Sequence, residues 1–151
     1  TRFRSNLLST ATKRRLSGSI NLQYGGYWSG HAEQVTTSIT YKLPPRFTFI
    51  FSTNQTFARL PEGDFIARIF TSNVNYAFSP RLSLTNLIQY DNRSRNMGWQ
   101  SRVRWTLQPG NDLFFVFNQG WIDEDLDGVG ARRFRTADTK VSAKFQYSFR
   151  F

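Results

Sequence analysis

The sequence has no cysteine, one methionine and one histidine. Without thiols there is no disulfide framework and no cysteine-based metal or redox site. No run approaches the eighteen or so continuous apolar residues of a membrane helix, which excludes spanning by helices but not by strands. A membrane strand needs only about 9–11 residues with apolar side chains at alternate positions. Helical periodicity of useful length, fixed-period repeats and linkers are also missing, so residues 1–151 read as one domain. The start, Thr-Arg-Phe-Arg, carries no initiator methionine and no signal-peptide pattern. A mature form, or the C-terminal portion of a longer chain, is expected.

What is present is unusual. Apolar residues make up 39%, yet aromatics reach 17%, with 15 Phe. An ordinary soluble core is richer in aliphatic residues. Twenty Lys and Arg against ten Asp and Glu give a net charge of +10. Such a balance suits nucleic acid, anionic lipid or the anionic outer leaflet of a bacterial envelope.

Alternation runs from end to end. In the closing stretch Val141, Ala143, Phe145, Tyr147, Phe149 and Phe151 share one parity, and Lys140, Ser142, Lys144, Gln146, Ser148 and Arg150 the other. Successive strand side chains point to opposite faces, so this is a strand with one apolar and one charged face. The clearest internal case sets Trp99, Val103, Trp105 and Leu107 against Gln100, Arg102, Arg104 and Thr106. Similar sets begin near Ile20, Val35, Phe47, Ile66, Leu82 and Phe115, and a weaker one near Phe3, for about nine strands.

"LPPRF", "FSPRL" and "QPGND" are compact turns, all on the strand end that carries Phe151. "WSGHAEQ", "YDNRSRNMG" and "GWIDEDLDGVGARRFRTAD" read as longer polar loops at the other end, with "LPEGD" a short exception. Lys13-Arg14-Arg15 reads as a solvated turn on the short-turn rim, or as a lipid-head-group contact. Short turns on one rim and long loops on the other are a membrane-barrel arrangement. Aromatics near strand ends, such as Trp28, Tyr41, Tyr90, Trp99 and Trp121, suit interfacial girdles. The predicted fold is therefore an all-β, antiparallel up-and-down transmembrane barrel of the bacterial outer membrane. An even strand number makes it either an eight-stranded barrel or part of a larger one.

The closing stretch resembles the terminal strand of Gram-negative outer-membrane proteins, whose alternating aromatics and last Phe are read by the barrel-assembly machinery. Phe145, Tyr147, Phe149 and Phe151 match, with Lys144 at a polar position and Gln146 where Gly is frequent. "WQSRVRWTLQPGNDLFFVFNQGW" resembles the C-terminal barrel of a large, poorly characterised outer-membrane family. Its members often carry an N-terminal domain similar to family-nine carbohydrate-binding modules. The resemblance covers about the last 70 residues. It implies a pore, transport barrel or scaffold with a link to carbohydrate, and as partners outer-membrane lipid, lipopolysaccharide, the assembly machinery and other subunits of a membrane complex.

Lys42, Arg102, Arg104, Lys140, Lys144 and Arg150 share the polar face and are expected to line a lumen. There they would attract anions, or pair with carboxylates of further strands or a plug. Basic and aromatic residues lie on opposite faces, which disfavours nucleic acid. Asp123, Asp125 and Asp127, followed by Gly128, match the first half of a calcium loop. Phe134 stands where a closing Glu belongs, so a solvated acidic loop beside Arg132, Arg133 and Arg135 is the competing reading. No other cofactor and no catalytic residue are expected. Ser29 and His31 in a loop would serve a small lipid-modifying barrel enzyme, with Glu33 the nearby carboxylate, and a soluble β-barrel or sandwich binding an acidic partner is a further alternative.

Overall fold

The computed structural model describes residues 2–10, 14–126 and 131–148, with side chains for 9–10, 14–124 and 133–148. The strands are β1 (Arg2–Ser9), β2 (Leu16–Tyr27), β3 (Gly30–Leu43), β4 (Phe47–Arg59), β5 (Phe65–Ser79), β6 (Leu82–Asp91), β7 (Asn96–Gln108), β8 (Asn111–Leu126) and β9 (Ala131–Gln146). They form one antiparallel sheet in which each strand pairs with its neighbours in sequence. β2 to β9 are 10–16 residues long, enough for a tilted strand to cross a hydrocarbon layer.

The sheet is not closed. Among the described residues β1 pairs only with β2, and β9 only with β8. The barrel expected from the sequence is thus an open meander here. Strand parity gives a physical reason. In an antiparallel meander of nine strands the first and last run the same way, so a β1–β9 seam would be the one parallel pairing.

Registers sort the side chains into two chemically opposed faces. One row crosses seven strands without a polar interruption: Leu43, Phe47, Tyr76, Leu84, Val103, Phe115 and Ala143. On the other face, Ser19, Ser38, Ser52, Thr71, Gln89, Gly98, Gly120 and Asp138 form a row of polar and small residues across eight strands. The alternation that predicted each strand is therefore also in phase between strands.

Among the described residues no second layer covers the apolar face. Ala58 is the single buried apolar residue among those described, and no large side chain is fully buried. Trp105 stays 48% exposed, Phe115 45% and Val141 74%. On the order of ten large apolar side chains are left half in water on that face. At roughly 1 kcal/mol of unrealised burial each, the deficit is about the size of a domain's whole stability.

Three connections are shorter than the sequence suggested. β2 and β3 are joined by Trp28 and Ser29 alone, so His31 lies in a strand rather than a loop. Asn92–Arg95 suffices between β6 and β7, and β8 continues to Leu126 before β9 begins at Ala131. Polar residues resemble loop signals in a sequence, but backbone pairing needs no apolar side chain, and these hairpins continue past the apolar zone. The expected contrast between short and long rims is correspondingly weak.

Candidate functional site

The polar face is stitched by side-chain hydrogen bonds between strands. Gln34 Nε2 donates to Asn54 Oδ1 at 2.9 Å, Ser52 Oγ to Ser38 Oγ at 3.2 Å, and Thr85 Oγ1 to Asn75 Oδ1 at 2.8 Å. Gln100 Nε2 donates to Asn118 Oδ1 at 2.8 Å. Two hollows open on this face. The first, about 460 Å³, is lined by Gln89, Asp91, Asn96, Gln100, Asn118 and Asp138 among others. The second, about 310 Å³, lies over Gln23, Gln34, Thr56 and Ala67. Amide and carboxylate side chains line most of the first, a surface suited to water and polar solutes, while Gly25, Gly26, Ala32, Tyr27 and Phe65 share the second with its polar residues.

Two pairs of polar side chains on the apolar face bond to each other. Trp99 Nε1 donates to Asn86 Oδ1 at 3.2 Å, and Thr139 Oγ1 to Gln119 Oε1 at 2.7 Å. At the strand ends aromatic rings touch in a chain, Tyr41 to Phe47 (6.5 Å), Phe47 to Tyr76 (6.5 Å) and Tyr76 to Phe78 (4.7 Å), all edge-on. Such contacts keep the rings ordered where the strands meet the turns.

The register puts five of the six predicted lumen-facing basic residues on the polar face. Lys42 and Arg102 share a row through Thr48, Asn75 and Thr85, and Arg104 and Lys144 flank Phe114. Lys140 lies opposite Asn118. Arg150 lies outside the described residues. Arg104 Nη2 is ion-paired with Asp112 Oδ2 at 2.8 Å, and Lys140 Nζ with Asp138 Oδ2 at 3.2 Å. The Arg104 guanidinium also sits 6.0 Å from the Phe114 ring centroid.

The other predicted residues are spread out. Asp123, buried, stands opposite Phe134 in β8, and Asp125 opposite Arg132, within a paired strand rather than a loop. Asp127 lies outside the described residues, among which no three His, Cys, Asp or Glu gather as a metal site would require. Arg135 pairs with Glu124 at 2.7 Å. Phe145 is opposite Leu113 and 6.3 Å from the Tyr147 ring, while Phe149 and Phe151 lie outside the described residues. Ser29 Oγ bonds to the Glu62 carboxylate, and His31 stacks on Tyr24 at 5.9 Å.

One feature escaped the sequence reading. The turns before β2, β4 and β6 each end in an exposed arginine, Arg15, Arg46 and Arg81. Their carbonyls accept hydrogen bonds from Lys42 N, Ala77 N and Thr106 N, all at 2.7 Å. "PPR" and "SPR" were visible as turns, but their shared last residue becomes a pattern only when the strands are set side by side. Comparison of the chain with protein-family models, curated proteins and solved structures finds no match to any of them.

Proposed function

We propose that the chain forms wall of an outer-membrane β-barrel, with the apolar face against lipid and the polar face toward an aqueous lumen. The observation that carries this reading is the uninterrupted Leu43-to-Ala143 apolar row, on which none of the described residues packs as a second layer. Lipid removes that face from water without a second protein layer, and the closed backbone ladder between neighbouring strands suits a medium that offers no hydrogen bonds. Closure with antiparallel neighbours throughout needs an odd number of further strands between β9 and β1. The lumen face, rich in amides, hydroxyls and basic groups, suits passage or scaffolding of polar, preferentially anionic, solutes.

Single cysteines test this cleanly because the natural chain has none. An environment-sensitive fluorophore at Phe115→Cys should report hydrocarbon in reconstituted vesicles, and one at Thr85→Cys should report water. Water at both positions would end the membrane reading. The enzymatic alternative receives no geometric support, since Ser29 binds Glu62 and His31 stacks on Tyr24.

A further inference from the structure

Charge is distributed unequally between the two rims. Asp112 is the one carboxylate near the rim that holds the β1–β2, β3–β4, β5–β6 and β7–β8 turns, among the described residues. The same rim carries Arg15, Arg46 and Arg81 in its turns, with Lys42, Arg104 and Lys144 in the adjoining strand ends. At the opposite rim Arg59, Arg93 and Arg95 are balanced by Glu33, Glu62 and Asp64, with Asp91 close by. Among the described residues the excess of positive charge thus lies at one end of the sheet.

The three turn arginines are also held in place. Each carbonyl is tied to the next strand at 2.7 Å while the side chain stays exposed. They precede β2, β4 and β6, so successive arginine backbones stand two strands, or roughly 10 Å, apart. That spacing is a little more than the roughly 8 Å Debye length at physiological salt, so their fields reinforce one another most at low salt. Their registers with Lys42, Ala77 and Thr106 place them on the polar-face side of the ladder. Guanidinium is the side chain best matched to two oxygens of one anion.

We infer that this rim is a binding site for polyvalent phosphate-type oxyanions. The inference rests on charge placement and not on membrane insertion. The test compares three full-length proteins refolded in neutral detergent: the natural chain, Arg15→Gln/Arg46→Gln/Arg81→Gln, and Arg59→Gln/Arg93→Gln/Arg95→Gln. The two variants lose the same charge from opposite rims. Tripolyphosphate is titrated by calorimetry, and binding to neutral phosphatidylcholine vesicles is compared with vesicles containing phosphatidylglycerol. Tripolyphosphate affinity should fall about tenfold in the first variant and stay near natural in the second. The same pattern confined to the anionic vesicles would support the site and identify a lipid head group as the phosphate source. Equal weakening in both variants, or in neither, would overturn the inference, since net charge alone would then explain any binding. Failure to enter neutral vesicles with the tripolyphosphate pattern intact would count against the membrane reading and leave the anion site standing.

Discussion

Ser29 Oγ donates to both carboxylate oxygens of Glu62, at 3.1 and 2.8 Å, tying the β2–β3 turn to the β4–β5 turn across one rim. The bond is exposed, so Ser29→Ala should cost only about 0.5–1 kcal/mol globally. It should nevertheless speed proteolytic nicking between Leu60 and Asp64, because the substitution frees one turn from the other. Nicking at an unchanged rate would mean the two turns are held by something else.

Beside that bond, Trp28 has a left-handed backbone (φ 52°) and is 90% exposed. A bulky residue pays for this conformation and here gains no burial. Trp28→Gly should stabilise the hairpin by about 1 kcal/mol, read as a higher urea midpoint. A lower midpoint would show that the indole makes contacts in the reconstituted protein that offset the strain.

Gly30 follows at the start of β3. A Cβ there would land on the carbonyl oxygen of Arg59, which is backbone and cannot swing aside. Gly30→Val should therefore destabilise by about 2 kcal/mol or more and part β3 from β4 near His31 and Arg59. Gly26→Ala, with open space around its Cβ position, is the matched control and should change little.

The apolar row makes a sharper demand. Phe115→Arg should cost roughly 2–4 kcal/mol of stability in a bilayer, whereas Ser142→Arg on the opposite face should cost little. Urea titrations in vesicles would separate the two. Equal costs would mean that both faces meet the same solvent.

Acid should loosen the β6–β7 turn. Asp91 accepts hydrogen bonds from Arg93 N at 2.8 Å and Ser94 Oγ at 2.9 Å. The backbone bond from Arg93 is the main reason its carboxyl is held below the usual 3.8, against a smaller opposing effect of burial. A carboxyl lowered by folding stabilises the protein above its unfolded pKa, and that contribution fades as pH falls through the folded value. Fluorescence-detected unfolding from about pH 5 to about pH 2 should show this step, and Asp91→Asn should remove it.

These cases show which parts of the fold a sequence carries. Trp105 and Val103 against Arg104 and Arg102 encode their strand locally, because period-two alternation is a property of adjacent residues. Asp123 and Asp125 look like loop residues in the sequence because polarity alone does not distinguish a turn from a strand that has left the apolar zone. The open edges could not be read at all, since pairing between the first and last strands leaves no mark on either. The aligned arginines were hidden for a similar reason. Arg15, Arg46 and Arg81 are more than thirty residues apart in sequence, yet two strands apart in space.

Every extensive contact in the sheet joins strands adjacent in sequence. Each hairpin therefore closes over a short loop, and the next one docks on an edge already present, which keeps the entropy of ordering low at every step. The same arrangement makes the sheet modular. A hairpin can be added or removed without changing any other register, so the width of such a sheet can change in units of two strands while its apolar and polar faces stay in phase.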